Sequence, residues 1–161
     1  MLRIERVPVT DAAAATLIAE VQAEYVRLYG GPDDTPLEAG VFDPPSGAFF
    51  VGRLGDVPVA MGGWRMRPDV RRLGGTLSAE IKRMYVAPPG RRMGLARAVL
   101  AHLERTAAEA GADVMVLETG TAQPEAIALY ESSGYELVET FGHYAWSPMS
   151  RCFGKQLREG S

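Results

Sequence analysis

The 161-residue chain has one cysteine, Cys152, and two histidines, His102 and His143. An intramolecular disulfide is therefore excluded, and a Cys/His metal centre lacks ligands, so no metal is expected. No stretch approaches the roughly 20 apolar residues of a membrane span. The opening MLRIERVPVT interleaves charges with single apolar residues, unlike a secretory leader. These absences argue against a membrane role and lead to the expectation of a cytoplasmic protein. A strong charge excess is also missing. With 17 Lys and Arg against 20 Asp and Glu, the net charge of −3 does not suit a domain that grips nucleic-acid phosphates. Neither Gly-x-x-x-x-Gly-Lys-Ser/Thr nor a Gly-x-Gly-x-x-Gly after the first strand occurs, which leaves a P-loop and a dinucleotide fold unsupported.

What is present is apolar material, 47% of the residues, enough for the core of one compact domain spanning 1–161. Leu2 to Val7 reads as an opening strand. Thr10-Asp11 starts a helix with Ile18, Val21, Tyr25 and Leu28 at helical spacing, ending at Gly30-Gly31. Thr35-Pro36-Leu37-Glu38 matches a capping box and predicts a second, short helix. Helix-start chemistry accounts for Asp33, Asp34 and Glu38 as well as attraction for an amine would. Ala48 to Leu54 and Val57 to Arg67 form a hairpin across Gly55-Asp56, and Leu77 to Val86 a further strand, ended by Ala87-Pro88-Pro89-Gly90. Leu95, Val99, Leu103 and Ala107 mark the buried face of a helix. Asp113 to Leu117 reads as a strand covered on both faces. A helix from Pro124 to Gly134 and strands at Tyr135 to Glu139 and Arg151 to Leu157 complete a β-α-α-β-β-β-α-β-α-β-β order in one mixed sheet.

Basic residues crowd the middle third: Arg65, Arg67, Arg71, Arg72, Lys82, Arg83, Arg91, Arg92 and Arg97. A solvated basic face and an anionic ligand both fit that crowding. Within it, Arg91-Arg92-Met93-Gly94-Leu95-Ala96 follows a strand and opens an amphipathic helix. The first amides of a helix lack internal acceptors and sit at the positive end of its dipole, so they suit phosphate oxygens. Gly94 removes a side chain there and Ala96 keeps the next position small. In the preceding strand, Ile81 has odd parity whereas Met84 and Val86 have even parity, which a bulge between them would reconcile; a strand buried on both faces would need none.

The pattern Arg-x-x-Gly-x-Ala after a strand ending in Val86 resembles the acetyl-CoA pyrophosphate turn of the GNAT superfamily of N-acetyltransferases. The flanking Ala79-Glu80-Ile81-Lys82-Arg83-Met84-Tyr85-Val86, Leu117-Glu118-Thr119-Gly120, Ala126 to Glu131 and Gly134-Tyr135 resemble small-molecule members, and the likeness extends over essentially the whole chain. Many relatives have Gly where Arg92 stands. The resemblance implies an α/β (α+β) fold, a mixed, mostly antiparallel twisted sheet of 6–7 strands flanked by about four helices. It implies acetyl-CoA as cosubstrate, a small-molecule amine as acceptor, no nucleic-acid partner, and compatibility with a homodimer. The coenzyme is then expected at Met84, Tyr85, Val86, Arg91, Arg92, Met93, Gly94, Leu95, Ala96, Gln123 and Tyr130.

Attack of an amine on a thioester needs a neutral nucleophile, a donor for the developing oxyanion and an acid for the departing thiolate. The Val86 N–H is the expected oxyanion donor and Tyr130 the expected acid, although Tyr130 also fits a core aromatic. Glu80 is the candidate base, with an ion pair to Lys82 or Arg83 as the structural alternative. Glu118 is a second acid that could serve as base, bind the acceptor or pair with an arginine. Tyr144, beside His143, is expected in the acceptor wall. His102 fits a helix surface, and Cys152 a packed thiol. An enzyme acting on a protein N-terminus or lysine, and a CoA-binding sensor without turnover, remain open on sequence alone.

Overall fold

The computed structural model describes residues 1–35 and 40–157. Its seven strands are β1 (Leu2–Arg6), β2 (Gly47–Leu54), β3 (Val57–Arg67), β4 (Ser78–Val86), β5 (Val114–Gly120), β6 (Glu136–Leu137) and β7 (Ser150–Gln156). They form one sheet in the order β1-β2-β3-β4-β5-β7-β6. The pairing is antiparallel for β1 with β2, β2 with β3, β5 with β7 and β6 with β7, and parallel for β4 with β5. The described residues hold three α-helices, α1 (Ala12–Tyr29), α2 (Leu95–Glu109) and α3 (Pro124–Ser132), with a 3-10 turn at Pro88–Gly90. The mixed, mostly antiparallel architecture is therefore as expected, and the described residues hold three of the roughly four helices anticipated. The short helix expected from Pro36, with Glu38, lies outside the described residues. No helix among those described is long and apolar enough to cross a membrane. Two compact units emerge: Met1–Arg65 with Lys82–Leu103, and Met66–Ile81 with the chain from Glu104 onward.

In the first unit, α1 begins where Asp11 accepts bonds from the amides of Ala13 and Ala14 at 3.0 and 3.3 Å, satisfying two donors that the helix cannot. It stops at Gly30, whose φ of 81° lets its N–H return to Val26 O at 2.9 Å. The buried stripe is Ala14, Leu17 and Val21, packed with Phe42, Phe49, Val51, Met61 and Ala87; Ile18 and Tyr25 flank it. Large apolar residues alone mislocated the stripe's centre, because alanine carries part of the contact. β1 runs against β2 from Leu2↔Leu54 to Arg6↔Phe50. β2 continues into β3 with a register shift at Gly52/Arg53. The Val59 carbonyl of β3 accepts the Ala87 amide at 2.8 Å, which anchors the chain just after β4. α2 buries Leu95, Val99, Leu100 and Leu103 in this unit, adding Leu100 to the expected face.

In the second unit, β5 pairs with the start of β4 from Ser78↔Val114 to Glu80↔Val116, and along its whole length with β7. Val114, Met115, Val116 and Leu117 are all buried, as a run without alternation requires. α3 starts with Pro124, whose missing N–H costs nothing there. The strand expected at Tyr135 to Glu139 shrinks to Glu136–Leu137. The Arg72 guanidinium captures the carbonyls of Glu139 and Thr140 at 3.0 and 3.2 Å, which removes that segment from the ladder.

Candidate active site

In the first unit, the second half of β4 leads through the 3-10 turn into α2. Arg83 has φ 60° inside the strand, so the irregularity anticipated between Ile81 and Met84 takes the form of one left-handed residue. Arg91 to Gly94 form the following turn, in which Arg92 has φ 65° and Gly94 φ 74°. The Gly94 carbonyl accepts from Ala98 at 3.2 Å and so closes the first turn of α2. A Cβ at Gly94 would meet nothing within 4 Å, so the side facing this residue is open to a ligand. Arg92 adopts a left-handed backbone conformation that glycine reaches without steric cost.

Arg91 does more than lend charge. Its Nε donates to Val86 O at 3.0 Å, its Nη2 to Glu24 Oε2 at 3.2 Å, and its guanidinium lies 5.8 Å from the centre of the Tyr85 ring. The Tyr85 hydroxyl donates to Glu20 Oε1 at 3.3 Å; burial and the Glu20 charge raise its pKa. Met84 reaches β3, where its Cγ would lie 3.5 Å from a Cβ at Gly62. Met93, Arg92 and Gly94 are exposed, Ala96 half-buried and Leu95 buried. A helix start with no side chain at Gly94 and two arginines beside it suits a diphosphate.

A second group in this unit was not legible in the sequence. Asp33 Oδ2 lies 2.6 Å from Arg83 Nη1 and 3.6 Å from Lys82 Nζ, while its Oδ1 accepts from the Thr35 hydroxyl and amide at 2.6 and 3.0 Å. Burial opposes the Asp33 charge, but Lys82, the Thr35 bonds and Arg83 outweigh it and pull the carboxyl down to about 2. Tyr25 is pushed up to about 12 by burial and by Asp33.

In the second unit, Glu80 is buried and accepts from Arg67 Nη1 at 2.6 Å. Arg67 also engages Asp69 through Nε and Nη2, both at 3.0 Å. Bonding to Asp69 raises the guanidinium pKa, burial opposes this, and Glu80 adds to the rise. Glu80 therefore has an ion-pair partner, but it is Arg67 rather than the Lys82 or Arg83 anticipated. Glu118 is half-buried at the end of β5 and accepts from the Ser150 hydroxyl at 3.0 Å. A Cβ at Gly142 would lie 3.7 Å from its Oε2, so the loop before β7 comes close to this carboxylate. Tyr144, half-buried in that loop, meets His143 edge-on at 4.7 Å. Gln123 occupies the N-cap of α3. Tyr130 is buried, its ring 5.8 Å from Tyr135 and 6.4 Å from Phe153. Glu80, Glu118, Gln123, Tyr130 and Tyr144 thus belong to this unit, whereas Met84 to Val86 and Arg91 to Ala96 belong to the other.

His102 and Cys152 make packing contacts. His102 meets Phe50 edge-on at 4.5 Å. Cys152 is buried, its thiol pKa raised by burial, with Sγ 3.8 Å from Phe141 O.

The family model described as Acetyltransferase (GNAT) family matches residues 15–135, and the chain belongs to that family. It is thereby an N-acetyltransferase by class. Among its relatives is a protein of Azospirillum brasilense named IAA acetyltransferase, 31% identical over 150 residues that cover 93% of this chain and 94% of the relative. A solved structure from Klebsiella pneumoniae, provisionally named an acyl-CoA N-acyltransferase, superposes with a TM-score of 0.80 at 29% identity, covering 98% of this chain and 99% of that one. The fold is also that of an N-acetyltransferase from Thermoplasma acidophilum solved with coenzyme A, with a TM-score of 0.69, 12% identity, and coverage of 97% and 99%.

Proposed function

We propose that the chain transfers an acetyl group from acetyl-CoA to the amine of a small molecule, by direct attack of the neutral amine on the thioester. The observation that carries this reading is the turn before α2, where Gly94 at φ 74° is open on its Cβ side and Arg91 and Arg92 flank the leading amides. Acetyl-CoA bound there supplies the acyl group in activated form. The name of the Azospirillum relative, IAA acetyltransferase, supports a small-molecule acceptor over a protein.

Val86 is assigned the oxyanion role through its N–H. It stands at the end of β4, and a backbone dipole held in place before reaction needs little reorganisation when charge develops. Tyr130 is assigned the acid role, its ring direction fixed by Tyr135 and Phe153. Glu80 is assigned the ammonium proton, taken through water. Arg67 holds that carboxylate in place through Nη1 at 2.6 Å. Glu118 and Tyr144 are assigned to the acceptor.

A thiol-release assay with acetyl-CoA across polyamines, amino acids, aminoglycosides and peptides tests the reading. Turnover confined to one class of small amine is the expected result; turnover with peptides alone, or with nothing, defeats it. Tyr130→Phe should lower kcat about a hundredfold or more while coenzyme affinity holds. A parental rate in that variant removes the acid role.

A further inference from the structure

Successive residues of a strand normally point to opposite faces. Lys82 and Arg83 break that rule: the left-handed backbone at Arg83 lets both side chains reach the one carboxylate of Asp33. Gln22 holds the Asp33 backbone from both sides, accepting from its N–H at 2.8 Å and donating to its carbonyl at 3.0 Å. The group is thus a built feature, and among the described residues its charges do not cancel. Two cations, 8% and 10% exposed, share one anion that is 15% exposed. The Asp33 oxygens are already taken by Thr35, Arg83 and Lys82. The acids of the adjacent α1 are engaged elsewhere, Glu20 with Tyr85 and Glu24 with Arg27 and Arg91.

Surplus positive charge with so little solvent is costly unless an anion arrives. The ammonium of Lys82 has Asp33 at 3.6 Å as its one partner among the described residues, beyond hydrogen-bonding distance, so its donors are unspent. The Lys82 side chain keeps 8% of its surface exposed.

We propose that the acceptor carries a carboxylate as well as its amine, and that Lys82 and Arg83 bind that carboxylate. The proposal rests on the N-acetyltransferase reading and narrows the acceptor to amino acids and other amino-carboxylates. The same cations could meet a coenzyme phosphate instead, but the Arg91–Ala96 turn already provides for phosphate.

The test compares kcat/KM for phenylalanine against phenylalaninamide and lysine against lysinamide and cadaverine, in the parent protein, Lys82→Met and Lys82→Arg. Calorimetry with coenzyme A runs alongside, and circular dichroism checks the folding of each variant. The expected result is a preference of at least tenfold for the free carboxylate, lost in Lys82→Met, kept in Lys82→Arg, with coenzyme affinity within twofold of the parent. Amides or cadaverine accepted as well as the carboxylates would overturn the proposal, as would a preference that survives Lys82→Met. A large loss of coenzyme affinity in Lys82→Met would assign the cations to phosphate and overturn it too. If no amine is acetylated at all, the enzymatic reading fails separately. Titration of N-acetylphenylalanine against its amide, with coenzyme A present, then decides the carboxylate site: tighter binding of the acid, abolished by Lys82→Met, supports it, and equal binding overturns it.

Discussion

Two buried ionic groups draw on neighbouring residues of β4 and have opposite balance. Asp33 sits between the cations Lys82 and Arg83, whereas Arg67 sits between the carboxylates Glu80 and Asp69. Their surroundings differ more than their formal charges. The surplus negative charge falls on Asp69, whose side chain is 64% exposed, so water solvates it. The surplus positive charge has no such outlet, since neither cation is more than 10% exposed. A charge surplus therefore indicates a missing ligand only where solvent cannot serve in its place. By that criterion the Asp33 group calls for an anion, and the Arg67 group is complete without a cation.

Removing single members separates the two. Arg67→Met takes the guanidinium from buried Glu80 and should cost about 3–5 kcal/mol, read as a lower urea midpoint. Asp33→Asn should cost roughly 2 kcal/mol from the difference between 3.8 and about 2 in its carboxyl pKa. Because the folded value is the lower one, this stability is present above about pH 4 and disappears as pH falls toward 2. Urea titrations over that window should show a shallower acid loss in Asp33→Asn than in the parent, and identical slopes would contradict the pairing. Asp69→Asn should cost less than about 1 kcal/mol, because an exposed pair is largely screened. A cost equal to that of Arg67→Met would mean that solvent does not carry the surplus, and the contrast between the groups would fail.

What the sequence revealed was local. The Asp11 cap, the Gly30 stop, the buried face of α2 and the strand–turn–helix around Gly94 all lie within a few residues and have recognisable chemistry. The parity break along β4 was visible too, and appears as the left-handed Arg83. Contacts between distant residues were not. Arg83 finds Asp33 from 50 positions away, and Arg91 finds Glu24 from 67, with nothing in the intervening chain to announce either. The same distance hid the shortness of β6, since Arg72 binds carbonyls 67 and 68 residues further on. Glu80 lies in the strand expected for it, but its partner could not be read, because Lys82 and Arg83 are nearer in sequence while Arg67 makes the contact.

The central claim is that the amides heading α2, opened by the absence of a side chain at Gly94, hold the diphosphate of coenzyme A. Calorimetric titration of coenzyme A into the parent protein and Gly94→Glu tests it most directly. The expected result is saturable binding to the parent and none to the variant, whose added carboxylate blocks the turn and repels phosphate. Equal affinity in the two proteins, or no binding to the parent, would contradict the assignment.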